Sequence, residues 1–137
     1  MADSLDWETE HVPDGDDTFM RAHSVHIRRG ALLPGVFRVR DDGMSVDWSK
    51  YSTPEETRQR CREPLENAVV SLPVLKVRGI KGLDVKHAPV TPPEPPNRAH
   101  SNVLGIPASG VQLTKTRLLL LDISSVLIGL SNPGTHN

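Results

Sequence analysis

The sequence predicts a small α+β domain, a mostly antiparallel sheet carrying two or three short helices. Three observations lead there. Apolar and polar residues alternate with a period of two in Val36-Phe37-Arg38-Val39-Arg40 and again through Met44-Ser45-Val46-Asp47-Trp48, as strands with one buried face require. Thr53-Pro54-Glu55-Glu56 combines a hydroxyl cap, a proline for the first helical position and a glutamate three residues after the cap, which is a helix start. The length of 137 residues suits one hydrophobic core and not two.

The elements follow in order. Residues 18–29 alternate weakly through Phe19, Arg21, His23, Val25 and Ile27 and read as a half-exposed strand, ended by Gly30. After a turn at Leu33-Pro34-Gly35, residues 36–40 form a second strand with Phe37 and Val39 on one face and Arg38 and Arg40 on the other. Asp41-Asp42-Gly43 has turn chemistry, since Gly accepts positive φ and Asp bonds nearby backbone. It closes a hairpin onto the strand at 44–48. The helix begun at Pro54 runs to about Arg62, because Pro64 disfavours helix in the residue before it. Arg58 and Arg62, beside Glu55, form its solvated face, and Cys61 is a half-buried residue on it.

Residues 67–80 are Val-rich, with Val70, Leu72 and Val74 on one face. With residues 83–87, beyond a turn flanked by Gly79 and Gly82, they read as two strands. Pro73 cannot donate to a ladder, so its strand lies at an edge or breaks there. Pro89, Pro92, Pro93, Pro95 and Pro96 make a stiff extended connector. It delivers a two-turn polar helix over 97–104, with Pro96 at its start and Gly105 at its end. Thr114 caps a helix carrying Leu118 to Leu121, and residues 124–128 form a β-branched final strand.

Charge is unevenly placed. The first 17 residues hold seven acidic and no Lys or Arg side chains; the other 120 hold ten acidic and 16 basic ones, a net +6. Residues 1–17 are therefore expected as an acidic, solvated and disordered tail, residues 18–130 as the domain, and residues 131–137 as a frayed end. The N-terminus lacks the basic start and apolar stretch of a signal peptide, and the longest apolar run ends at Asp122, too short to span a bilayer. Cys61 is the one cysteine, which excludes an intrachain disulfide and fits a reducing compartment. A cytoplasmic protein with no membrane association is expected.

The densest polar cluster is Asn97-Arg98-Ala99-His100-Ser101-Asn102. Arg98 suits an anion, because its guanidinium forks bidentately, and His100 suits proton transfer near neutral pH. The competing reading is a helix whose side chains cap, bond loops and face water. Asp47 is a candidate base or ligand at a strand end, with Trp48 as a pocket wall. His87, just before the prolines, completes a catalytic candidate set of His100, Arg98, His87 and Asp47. Ser45 lacks the flanking glycines of a nucleophile elbow. No His, Cys or Asp spacing matches a metal site, and neither glycine-rich phosphate pattern occurs, so no metal and no cofactor is expected. Arg21, Arg38 and Arg40, with Arg28 and Arg29, can form a basic sheet face for anions or nucleic acid, although aromatics are only 4% of the chain.

The order Phe37-Arg38, Met44-Ser45-Val46-Asp47-Trp48, Leu83-Asp84-Val85-Lys86-His87, Asn97-Arg98-Ala99-His100-Ser101 resembles an uncharacterised family of small prokaryotic proteins over residues 20–128. The resemblance implies a stand-alone bacterial domain of accessory or defence-related gene sets and carries no reaction. The leading expectation is an interaction protein with a protein partner. The alternatives are an enzyme acting on a nucleotide or nucleic-acid phosphate, and a nucleic-acid-binding domain using the arginine face.

Overall fold

The computed structural model describes residues 6–40 and 43–130. Among these, six strands form one antiparallel sheet in the order β6-β7-β4-β1-β5-β8: β1 Asp17–His23, β4 Met44–Trp48, β5 Asn67–Pro73, β6 Asp84–His87, β7 His100–Leu104 and β8 Ser125–Ile128. A small ribbon pairs β2 Ile27–Arg28 with β3 Ala31–Leu32. Three helices, α1 Pro54–Gln59, α2 Val74–Arg78 and α3 Gly110–Ile123, complete the α+β fold.

The two faces of the sheet differ because side chains alternate and cross-strand partners share a face. Met20 and Ala22 of β1, Met44, Val46 and Trp48 of β4, Val70 and Leu72 of β5, Val85 of β6 and Val103 of β7 all enter one core, closed by Val74 and Val77 of α2 and Leu120 of α3. The opposite face carries Phe19, Asp47 and His100 in register, along with Arg21 and Ser45, and α1 lies over part of it through the buried Thr57.

Several elements differ from expectation for identifiable reasons. The segment over 97–104 is a strand, not a helix. Ala99, Ser101 and Val103 are fully buried while His100, Asn102 and Leu104 are half-exposed, and both edges are paired, to β4 and β6. The prolines are correspondingly the tip of the β6–β7 hairpin: Val90 and Asn97 exchange backbone hydrogen bonds of 3.0 and 2.9 Å at its base. Residues 36–40 are not a strand. Pro34–Val36 is a 3₁₀ turn, Phe37 is buried but Val39 is exposed, and the Phe37 carbonyl accepts from Arg117 Nε at 2.9 Å instead of from a ladder. Arg40 and Gly43 do form a bridge, while the Asp41-Asp42 part of the proposed turn lies outside the described residues.

β1 ends at His23, so residues 18–29 are not one strand. The capping box at Thr53 is formed by both reciprocal bonds, but α1 stops at Gln59, which leaves Cys61 and Arg62 beyond the helix. β5 ends at Pro73 and lies between β1 and β8, so the proline marks a break and not an edge. Beyond it the chain turns helical, because Val74 and Val77, three residues apart, both reach the core and the amides of Val74 and Leu75 donate to Asp16 O and Asp14 O. α3 starts at Gly110, four residues before Thr114.

The acidic N-terminal segment is also not a solvated tail over its described part. Val12 is buried in the core, and Arg78 clips this strap to β6, donating to Val12 O at 2.6 Å, Asp14 at 2.7 Å, Asp84 at 2.8 Å and Val85 O at 3.0 Å. An apolar side chain that reaches a core outweighs the solvation of neighbouring carboxylates. Residues 131–137 lie outside the described residues.

Candidate functional site

The four catalytic candidates separate into two groups because the strands that carry them alternate faces. Asp47 and His100 are opposite one another on β4 and β7. Trp48 and His87 point to the other face, where Arg98 joins them. The candidate set of His100, Arg98, His87 and Asp47 therefore does not meet in one cleft.

On the first face, Asp47 is buried and both oxygens of its carboxylate accept hydrogen bonds. Oδ2 accepts from Thr57 Oγ1 at 2.9 Å and from Arg60 Nη1 at 2.7 Å, and Oδ1 accepts from Asn97 Nδ2 at 2.9 Å. Arg60 also donates to Ser52 Oγ at 2.7 Å, and Asn97 Oδ1 receives the Ala99 amide at 3.0 Å. This carboxylate ties α1 and the base of the proline hairpin to the sheet. A buried charge needs that degree of pairing.

His100 has a defined tautomer. Its Nδ1 lies 2.8 Å from Ala88 O, and a carbonyl can only accept, so Nδ1 carries the hydrogen and the neutral ring presents a lone pair at Nε2. That lone pair faces Ser45 Oγ at 3.2 Å. Ser45 is exposed. A cavity of about 110 Å³ beside the pair is lined by Arg21, Ser45, Asp47, Thr57, Asn97 and His100. A second, of about 150 Å³, shares Arg21 and Ser45 and adds Arg38 and Arg40. The three arginines singled out for anion binding thus line cavities that share Ser45. Arg21 is held by its bond to Thr57 O at 2.9 Å, and Lys86 extends the basic character along the same face through its pairing with Asn102.

On the second face, His87 accepts the Glu10 amide at Nδ1 (3.0 Å) and therefore donates from Nε2 to Arg98 O (2.6 Å). Its ring packs edge-on to Trp48, with centroids 5.1 Å apart. Trp48 is fully buried, and its Nε1 donates to Asp16 Oδ2 at 2.8 Å. Trp48 is thus a core anchor for the strap and lines neither of the two cavities above. Glu10 bonds Lys50 Nζ at 2.5 Å and the Tyr51 hydroxyl, and these bonds, Lys50 first, hold its carboxyl below the ordinary range. Arg98 stacks over Tyr51 at 4.3 Å, near Glu10 Oε2 at 3.8 Å. This group fastens the strap. It has no counterpart in the sequence reading, which assigned Arg98 to an anion.

Thr57, Arg60 and Arg78 carry no local sequence signal, since each acts on a residue ten or more positions away or on a partner outside any motif. Pairing of Asp47 with His100 was within reach of the sequence, because Ala99, Ser101 and Val103 alternate as a strand does. No protein-family model, curated protein or solved structure matches this chain. Among the described residues, no three His, Cys, Asp or Glu side chains are grouped as a metal would need, and no helix is long and apolar enough to cross a membrane.

Proposed function

We propose that the chain is a small bacterial accessory protein that recognises a macromolecular partner by its anionic groups, through Arg21 of the sheet and Arg38 and Arg40 of the segment that leads into β4. The supporting observation is that these arginines line two cavities that share Arg21 and the exposed Ser45. Guanidinium forks and a hydroxyl match phosphate or carboxylate oxygens. The described part of the acidic strap packs on the other side of the sheet, against Trp48 and His87.

Heparin, a polyanion, is the probe. Wild-type protein is expected to be retained on immobilised heparin at low salt, and the triple variant Arg21→Ser/Arg38→Ser/Arg40→Ser to elute at clearly lower salt. Passage of the wild type straight through the column at low salt would sink the reading. Nucleic acid is a second reading for the partner, since arginines lining adjoining cavities suit a phosphate backbone. Phe19, Phe37 and Trp48 are buried, and the half-buried Trp7 and Tyr51 lie beside Arg98 on the strap side, so the reading is for duplex and not single strands. Affinity for a fluorescent DNA duplex should then fall steeply with added salt, and salt-independent binding would reject it.

A further inference from the structure

We propose that Ser45 and His100 form a nucleophile and base pair that cleaves a phosphodiester seated against Arg21, Arg38 and Arg40. This rests on the anion-recognition reading and goes beyond it. Three independent features of the site meet at Ser45 Oγ. His100 Nε2 faces it at 3.2 Å with its lone pair, because Nδ1–H is committed to Ala88 O at 2.8 Å. A base oriented by a second hydrogen bond, within reach of a hydroxyl, is the arrangement that activates serine. The hydroxyl is exposed, so a substrate can approach it. Arg21, Arg38 and Arg40 line the cavities on either side, and a guanidinium turned toward a bound phosphate would stabilise the charge that grows on its oxygens. Asp47 does not touch the reacting atoms. It is a positioning residue that holds Asn97, at the base of the hairpin, and through it the strand bearing His100.

In the first step Ser45 Oγ attacks phosphorus while its proton passes to His100 Nε2. The Oγ–P bond forms, the P–O bond to the leaving alcohol breaks, and His100 returns the proton to that oxygen. Water then attacks the phosphoserine diester, His100 takes its proton, and Oγ leaves and recovers the proton from His100. One diester and one water give one alcohol and one phosphate monoester.

The test uses the full chain and bis(p-nitrophenyl) phosphate, read by release of p-nitrophenolate and by intact-protein mass after acid quenching. Wild type should release p-nitrophenolate above a buffer blank. Ser45→Ala should lose that release to the blank, and His100→Gln should lower it about 10²–10⁴-fold, the usual range for a general base. Ser45 is exposed, so Ser45→Ala is expected to fold, which its far-UV circular dichroism and thermal midpoint verify. No release by wild type, or release that survives Ser45→Ala, overturns the proposal. Retention on heparin without Ser45-dependent release would defeat the chemistry alone, whereas loss of retention would defeat the anion-recognition reading beneath it.

Discussion

Removing the carboxylate of Asp47 would leave the Arg60 guanidinium, the Thr57 hydroxyl and the Asn97 amide without their acceptor. Asp47→Ala should therefore cost about 3 kcal/mol of stability, as expected when one member of a largely buried pair is deleted, measured by urea denaturation. A midpoint within error of wild type would show that water replaces the carboxylate. Glu10 offers a pH test at the same scale. Its folded-state value is depressed by Lys50 and Tyr51, so its contribution is present above the ordinary glutamate value of 4.5 and is lost as pH falls through the folded one. The difference in unfolding midpoint between wild type and Glu10→Gln should be constant above about pH 4.5 and shrink below it. A difference that grows on acidification would contradict the assignment.

Gly105, at the end of β7, shows how closely two elements can be set. Its φ is +95°, and a Cβ there would lie 1.9 Å from the Gly82 carbonyl oxygen, so Gly105→Ala meets both a backbone penalty and a clash. Destabilisation of at least about 2 kcal/mol is expected, visible as a lowered thermal midpoint. A neutral effect would mean that the β6–β7 end can spread. The elements that were legible in the sequence are those written locally. The Thr53 capping box, the alternation at 44–48 and the break at Pro73 each depend on residues within a few positions. β7 was misread because Asn97, Arg98 and Ser101 look like surface groups of a helix flanked by Pro96 and Gly105. Their partners, Asp47, Glu10 and the neighbouring strands, are remote in sequence, and the alternation of Ala99, Ser101 and Val103 was the weaker local cue. The site divides in the same way: Arg21, Arg38 and Arg40 were recognisable by residue type, while the contact of Ser45 with His100 depends on strand register.

Across the whole molecule, the sheet stands between the described strap acids and Arg21. The described part of the acidic strap is fastened along the Trp48 and His87 side by Lys50, Arg78 and Trp48, opposite the arginines. Coulomb interaction at that separation is screened at physiological salt. Neutralising strap acids with Glu8→Gln and Asp14→Asn should consequently shift elution from heparin by less than Arg21→Ser does. A larger shift would show that the strap reaches the arginine face. Val12 makes the strap part of the fold, and Val12→Ala should lower stability by about 1–2 kcal/mol through lost apolar burial, followed by chemical denaturation.

The alternation along β7 sets core residues beside half-exposed ones, and the proposed chemistry at His100 would give one five-residue strand two unlike jobs. Stepping a saturation library through it, and sorting cells by protein abundance and separately by binding, should give a readout that switches at every residue. Ser101 and Val103 would be scored for whether the protein exists at all, and His100 and Asn102 for what it does once it exists. A ligand-facing mutation and a folding mutation would then sit next to each other on the chain, with no stretch of sequence belonging to either class.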